Sequence, residues 1–197
     1  MGSLKNQILI SMPHMTDPFF SKSVIYICEH NQQGAMGIII NKQFKEPELK
    51  DIFDKLYIGD DAIHSFVNDI YFGGPVLLEK GIVLHDARHT SDGTISLSKT
   101  ISMTSKQDVL KELQIKADIP FKLMLGHSGW SPGQLEREIE NGDWLMQSTT
   151  ADFIFNVQPD QMWEQAAGSL GIDLGPSMGM GGPRLKKRFQ EIGRAHV

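Results

Sequence analysis

Two apolar segments separated by a short polar turn constrain the fold more than any other feature of this sequence. Both lie within Met12–Lys42, at Ser23–Cys28 and Ala35–Ile40, and both are mostly apolar at odd and even positions alike. That pattern is typical of strands that are covered on both faces. The turn between them, Asn31–Gly34, supplies a glycine that can take a positive φ. We therefore predict a β-hairpin at the centre of a sheet.

Shorter apolar or alternating segments predict further strands along the chain. We expect them at Gln7–Ser11, Asp69–Phe72, Gly81–His85, Phe121–Gly126, Trp144–Met146 and Asp152–Phe155, with a strand or hairpin over Thr94–Met103. Helix start signals are interleaved with these strands. They lie at Pro47, at a Thr104/Gln107 capping box, at a Ser131/Gln134 capping box and at Pro159, whose helix we expect to end at Gly171. This order is typical of an α+β or irregular α/β domain with a mixed sheet.

Length and charge limit the number of domains and the class of partner. The 197 residues suffice for one domain, which we place at residues 1–182. The formal net charge is −5, and the last fifteen residues contribute +4, which leaves −9 for residues 1–182. Because nucleic-acid affinity depends on Lys and Arg that neutralise phosphates, we expect no direct nucleic-acid binding by this acidic body.

Targeting signals and the single cysteine indicate the compartment. The sequence shows no charged leader followed by an apolar core, and no apolar run approaches ~20 residues. We therefore expect neither a signal peptide nor a membrane span. The one cysteine, Cys28, lies in an apolar segment, which is typical of a buried thiol in a reducing environment. These features predict a cytoplasmic protein.

The C-terminal residues 183–197 form a basic tail. Its end, EIGRAHV, matches the conceptual translation of a common sequencing-library adapter. We expect the tail to be disordered or artefactual, and we base no function on its charge.

Polar residues collect at the ends of the first three predicted strands. If these strands are adjacent, some of the side chains can converge, and imidazoles with carboxylates suit ligand binding or acid–base chemistry. The alternative is ordinary turn chemistry, which suits Asp17 before Pro18. The spacing matches no established metal motif, so we expect no metal and no other cofactor. The candidate ligand-binding residues are His14, Asp17, Glu29, His30, Asn41 and His85.

Two further motifs match enzyme signatures only in part. His85 and His89 are four residues apart, as in helical zinc-binding pairs, but they follow a predicted strand and precede a turn. Ser128 stands between a predicted strand and a helix, as the nucleophile of a serine hydrolase would. Trp130 occupies the position at which that motif requires glycine. We therefore assign no catalytic residue and favour a protein without enzymatic activity.

Four sequence blocks resemble the bacterial YqgE/AlgH family. They are MPHMTDPFFSKSVIYICEHNQQGAMGIIIN, YFGGPVLLEKGIVLH, GHSGWSPGQLEREI with NGDWL, and MWEQAAGSLGID, and the resemblance runs from about Gln7 to Gly182. It implies one cytoplasmic domain whose mixed sheet bends into a pseudo-barrel flanked by helices. The family is described as uncharacterised, and one of its branches carries the name of a regulator of alginate synthesis. The chain departs from the family pattern after Gly182.

Three functional hypotheses are compatible with the sequence. We favour a regulatory domain that binds a protein partner, with Trp130, Pro132 or other exposed apolar groups as anchors and with any effect on transcription indirect. The second hypothesis is a small-molecule or metal-binding domain, including an enzyme, that uses the candidate ligand-binding residues. The third, a direct transcription factor, is disfavoured by the acidic body and by the lack of a helix-turn-helix pattern.

Overall fold

One strongly curved β-sheet organises the molecule. The structure, a computed structural model, describes residues 2–45, 70–106 and 108–172. Within these ranges nine strands form the sheet, in the order β6-β7-β5-β8-β3-β2-β1-β9, and β4 pairs separately with β8. The strands are β1 (Gln7–Ser11), β2 (Val24–Asn31), β3 (Gly34–Ile39), β4 (Ile70–Phe72), β5 (Val76–Asp86), β6 (Thr94–Ser96), β7 (Ile101–Thr104), β8 (Phe121–Trp130) and β9 (Trp144–Ser148).

The predicted central hairpin is present as β2 and β3. Ile25 lies opposite Ile39, and Tyr26 lies opposite Ile38, in an antiparallel register with a bulge between Ile27 and Glu29. Tyr26 and Ile38 belong to one buried apolar cluster, whereas Ile25 and Ile39 belong to another. Since successive side chains of a strand point to opposite faces, this division explains why both faces of the hairpin are apolar.

The sheet is mixed and bent, as expected. All of its pairings are antiparallel except that of β4 with β8. The middle of the sheet is β8, which pairs with β3 near its C-terminal end and with β5 along the rest of its length. The curled sheet is a half-barrel with a few helices around it, so the predicted α+β pseudo-barrel is confirmed.

Four described helices pack against the sheet. They are α1 (Asp108–Ile115), α2 (Gln134–Glu140), α3 (Ala151–Asn156) and α4 (Pro159–Ser169). The buried side chains of α1 form a separate apolar cluster with β4, β5 and β8, while those of α4 join the cluster of Tyr26. None of the described helices is long and apolar enough to cross a membrane.

Several predicted elements differ from the structure. The segment Asp152–Phe155, predicted as a strand, lies in α3, because the Thr150 hydroxyl accepts a hydrogen bond from the Phe153 N–H and caps a helix. Thr104 does not cap α1, since it lies in β7 and its hydroxyl bonds the side chains of Thr94 and His85. In the second predicted box the Gln134 side chain accepts from the Ser131 N–H at 3.0 Å, while Gly133 is the N-cap. The helix predicted from Pro47 and the tail 183–197 lie outside the described residues.

Two glycine-containing segments cross at backbone contact distance. Gly73 and Gly74 precede β5, and Gly126 lies within β8. A Cβ atom at Gly126 would lie 2.1 Å from the Gly74 carbonyl oxygen, and one at Gly74 would lie 2.2 Å from the His127 carbonyl. Gly74 and Gly126 have φ angles of 152° and 77°, which other residues rarely adopt. This crossing holds the start of β5 against β8.

Candidate functional site

The six candidate ligand-binding residues lie in three separate places. His14 and Asp17 belong to the first loop, residues 12–23 between β1 and β2, and Asn41 follows β3 at the same end of the sheet. Glu29 and His30 lie at the other end of β2, and His85 lies at the far end of β5. The structure therefore does not bring the six side chains together.

The residues at the loop end have structural roles. The Asp17 carboxylate accepts the backbone N–H groups of Phe19 and Phe20, at 2.8 and 3.2 Å, in a tight turn. The Asn41 amide accepts from the Val24 N–H and donates to the Lys22 carbonyl, at 2.9 Å each. Both side chains therefore hold the first loop against the central hairpin, in agreement with the turn-chemistry alternative.

His14 lies in the same loop. Its ring nitrogens are shielded from solvent. Burial lowers the pKa of the imidazole below its usual range. The His14 ring is therefore neutral at physiological pH.

His30 connects three segments. Its Nδ1 accepts a hydrogen bond from the Leu4 N–H at 2.8 Å, so the proton of the neutral ring lies on Nε2, which donates to the Glu136 carboxylate of α2. Burial opposes ionisation of Glu136, but the hydrogen bond from His30, a backbone hydrogen bond and nearby positive charge together outweigh it, so the pKa of Glu136 is lowered. His30 thus attaches the N-terminal segment and α2 to β2.

Glu29 is exposed and lines a pocket. The pocket has a volume of ≈ 230 Å³ and a mostly polar lining from the β2–β3 hairpin and the end of β8. Its lining residues are Glu29, Asn31, Gln33, Gly34, Ala35, Met36 and Trp130.

His85 is fully buried in a directed chain of hydrogen bonds. Its Nδ1 lies 3.0 Å from the Asp86 carbonyl, which can only accept, so Nδ1 carries the proton. Nε2 therefore accepts from the Thr104 hydroxyl at 2.8 Å, and Thr104 in turn accepts from Thr94 at 2.8 Å. Burial lowers the pKa of His85, and the hydrogen bond to Asp86 only partly offsets this. His85 joins β5 to the β6–β7 hairpin as a neutral ring.

The neighbouring His89 has an equally defined role. Lys116 donates to its Nδ1 at 3.0 Å, so Nε2 carries the proton and donates to the Glu112 carboxylate at 2.8 Å. The two imidazoles lie edge to face, with ring centres 5.7 Å apart. Within the described residues, no group of three or more His, Cys, Asp or Glu side chains is arranged to hold a metal ion.

The buried, neutral His85 predicts a loss of stability in acid. Because its folded pKa is lowered, the unfolded chain binds more protons below about pH 6.5, and the free energy of unfolding falls as the pH decreases through that value. We expect His85→Asn to cost about 1–3 kcal/mol at pH 7.5 and progressively less at pH 6 and pH 5. Urea unfolding at these three pH values measures the difference. A cost that is constant from pH 7.5 to pH 5 would contradict this role of His85.

A surface aromatic cluster, defined as Phe19, Phe44 and Phe72, was not anticipated from the sequence. Phe19 is 45 % exposed and stacks on Phe72 with ring centres 5.6 Å apart, and Phe44 meets Phe72 edge to face at 6.1 Å. Beside it the Lys42 ammonium donates to the Phe19 carbonyl at 2.6 Å. Burial lowers the pKa of Lys42, although Asp17 acts in the opposite direction. The adjacent Phe19-Phe20 pair was the available sequence signal.

The expected anchor Trp130 is not on the surface. It is 4 % exposed, because it faces the apolar cluster of Ile25 and Ile39. The strand β8 also continues through Ser128 to Trp130, so Ser128 lies inside a strand and not at a strand-to-helix turn. Pro132 is exposed, as expected.

Beneath α2, a buried carboxylate binds two tryptophans. Glu138 is 5 % exposed, and its Oε1 accepts from the indole N–H groups of Trp130 and Trp144, at 3.1 and 3.0 Å. Gln134 donates to Oε2 at 2.9 Å. Asp143, which is also fully buried, follows the same helix. The sequence block that contains these residues predicted only a helix and a strand.

Comparison with known proteins identifies the family. The AlgH-like family model matches residues 8–175. A UPF0301 protein of Shewanella frigidimarina is 40% identical over 177 residues, which are 88% of this chain and 95% of that protein. A UPF0301 protein of Ralstonia pickettii is 40% identical over 172 residues, covering 87% and 90% of the two chains.

Solved structures show the same fold. The solution structure of AlgH from Pseudomonas aeruginosa matches with a TM-score of 0.69 and 33% identity, over 92% of this chain and 98% of that one. The crystal structure of protein DIP2367 from Corynebacterium diphtheriae matches with a TM-score of 0.67 at 22% identity, over 86% and 88%. The second likeness concerns the fold alone. The family model, the UPF0301 relatives and the AlgH structure together establish that the chain belongs to the AlgH-like family of UPF0301 proteins.

Proposed function

We propose that this protein is a cytoplasmic regulatory protein that acts by binding another protein, through a surface centred on Phe19. The half-exposed Phe19 ring, held on an ordered loop, is the observation that carries the proposal. Aromatic side chains dominate the binding energy of protein interfaces when they are presented in a well-packed setting.

The setting of Phe19 reduces the entropic cost of binding. Its ring stacks on Phe72, its backbone N–H bonds the Asp17 carboxylate at 2.8 Å, and its carbonyl accepts from Lys42 at 2.6 Å. A side chain that is already ordered loses little further freedom when a partner covers it. Phe19 is therefore prepared to act as an anchor.

The surroundings of the aromatic cluster suit an acidic partner segment. A pocket of ≈ 340 Å³ beside it is lined by Lys42 and Lys45 together with Asn41 and Gln43. Asp160 at the start of α4 contributes one opposing charge. Lys42 and Lys45 favour a peptide with a carboxylate beside an apolar side chain, and Asp160 in the pocket and Asp17 near Lys42 offset part of their charge.

The hydrogen bonds of the candidate ligand-binding residues support a non-enzymatic role. The polar atoms of Asp17, Asn41 and His85 are engaged in holding loops and strands, and His30 attaches α2. Burial raises the pKa of the Cys28 thiol to about 12, which keeps it protonated and is compatible with a reducing cytoplasm.

The substitution Phe19→Ser tests the proposed surface. Removal of an interface anchor costs about 2 kcal/mol or more, so we expect partner affinity to fall at least about 30-fold. The partner is to be identified by affinity capture from bacterial extract, followed by titration of the purified pair. We expect Phe19→Ser to remain folded, because the ring is half exposed.

The control variant is Ile115→Ser, which changes an apolar side chain that is 86 % exposed on α1. We expect this variant to bind like the wild type. Equal affinity of Phe19→Ser and wild type would refute the proposed surface. Loss of partner binding only in Glu29→Ala would also refute it and would place the interface at the pocket beside Glu29.

A further inference from the structure

Asp143 occupies the junction of three elements. Its backbone N–H donates to the Glu138 carbonyl of α2 at 2.9 Å, and its carbonyl accepts from the Met12 N–H, at the start of the first loop, at 3.1 Å. The next residue, Trp144, begins β9. The backbone of Asp143 therefore connects α2, β9 and the first loop.

The side chain of Asp143 contrasts with that of Glu138. Asp143 is 0 % exposed, and neither of its carboxylate oxygens has a hydrogen-bond partner in the part of the chain that the structure describes. Glu138, five residues earlier in α2, accepts hydrogen bonds from three N–H groups. A buried carboxylate without donors is far more costly as an anion than as a neutral acid, and a second carboxylate nearby increases that cost.

Among the residues that the structure describes, the other elements around Asp143 supply no compensating cation. The strands β1 and β9 contain no charged residue. Apart from Glu138, the charged residues of α2 are Glu136, which bonds His30, and the exposed Arg137 and Glu140. In the first loop, burial lowers the pKa of His14 and keeps that ring neutral, while Lys22 is exposed and Asp17 caps its own turn.

We propose that Asp143 is a buried proton switch that, when protonated, allows the first loop and α2 to pack against Trp144 and, when ionised, loosens them. The contacts that would respond are specific. Trp144 meets Phe20 of the first loop edge to face, with ring centres 5.9 Å apart, and its indole N–H donates to Glu138. A negative charge on Asp143 would therefore disturb both contacts of Trp144, the one with Phe20 in the first loop and the one with Glu138 in α2.

The pH at which the switch operates lies in the physiological range. Burial, and then repulsion from Glu138, raises the pKa of Asp143 to about 7. Because the folded chain then binds more protons than the unfolded chain, stability due to this group falls as the pH rises from about 4 to about 7 and stays low above that.

Intrinsic tryptophan fluorescence of the full chain between pH 5 and pH 9 tests the switch. Trp130 and Trp144 both bond Glu138 beside Asp143, so we expect the wild-type emission to change with a midpoint near pH 7. In Asp143→Asn we expect this transition to be absent. In Glu138→Gln, which removes the repelling charge, we expect the midpoint to move to lower pH.

Matched controls are Glu140→Gln on the exposed side of α2 and Asp160→Asn at the exposed start of α4. Both should keep the wild-type midpoint. Thermal unfolding gives a second readout, since we expect Asp143→Asn to raise the Tm by roughly 5–10 °C relative to wild type at pH 8, and by much less at pH 5.

Two outcomes would overturn the proposal. One is a wild-type emission that does not change between pH 5 and pH 9. The other is a transition near pH 7 that persists unchanged in Asp143→Asn. If Asp143→Asn does not fold, the shift of the midpoint in Glu138→Gln decides, and an unshifted midpoint refutes the switch.

Discussion

Replacement of Gly126 by alanine is expected to destabilise the fold by more than about 4 kcal/mol and to remove most folded protein. The new Cβ would lie 2.1 Å from the Gly74 carbonyl oxygen and 3.1 Å from that of Val76. The φ of 77° at Gly126 adds backbone strain of about 1 kcal/mol or more for any other residue. Since the opposing atoms are backbone, no side-chain rotation can relieve the contact.

The control for this prediction lies three residues away on the same strand. A Cβ at Gly129 would meet no atom within 4 Å, so Gly129→Ala should change the free energy of unfolding by less than about 1 kcal/mol. Urea unfolding and the yield of soluble protein compare the two variants. A Gly126→Ala variant as stable as Gly129→Ala would show that the two glycine segments do not cross as described.

Truncation of the buried Glu138 is expected to cost about 3–5 kcal/mol. Glu138→Ala would leave the indole N–H groups of Trp130 and Trp144 without their acceptor and would open a cavity between the two rings. Each buried donor left unsatisfied costs about 1–3 kcal/mol. Because both tryptophans belong to the apolar cluster of Ile25 and Ile39, the loss should extend to the central hairpin.

Two further variants test whether the loss of stability is specific to the buried carboxylate of Glu138. Glu138→Gln keeps an acceptor oxygen and should cost less than Glu138→Ala, while Glu140→Ala changes an exposed position of the same helix and should stay within about 0.5 kcal/mol of wild type. Chemical unfolding followed by tryptophan fluorescence measures all three. Equal stability of Glu138→Ala and Glu140→Ala would contradict the described contacts.

The fold was predictable where local pattern and burial agree. The strand Gln7–Ser11 has the predicted bounds, and the central hairpin follows from apolar residues on both faces of β2 and β3. The predicted strand at Asp152–Phe155 is wrong, although the apolar and aromatic residues of this segment favour a strand. There the Thr150 cap and the burial of Ile154 favour a helix, which shows tertiary packing overriding a weak local preference.

The candidate site was less predictable, because sequence proximity does not place side chains. Asn41 and His30 lie within twelve positions of each other in the sequence. Asn41 nevertheless contacts the start of β2, whereas His30 lies near its end, and a strand of that length extends roughly 20 Å. No sequence pattern indicates that Trp130 is buried or that Glu138 binds its indole. Burial of a charged residue depends on partners from other segments, here α2 with β8 and β9.

The measurement that tests the central claim most directly is photo-crosslinking in living bacteria, with a benzophenone amino acid placed at position 19 or, as the control, at position 115. Both side chains are exposed, on the first loop and on α1 respectively. If the aromatic cluster of Phe19, Phe44 and Phe72 binds a partner protein, position 19 should give a defined cross-linked product, and position 115 should give none. A product from position 115 alone, or the same products from both positions, would contradict the proposed interface.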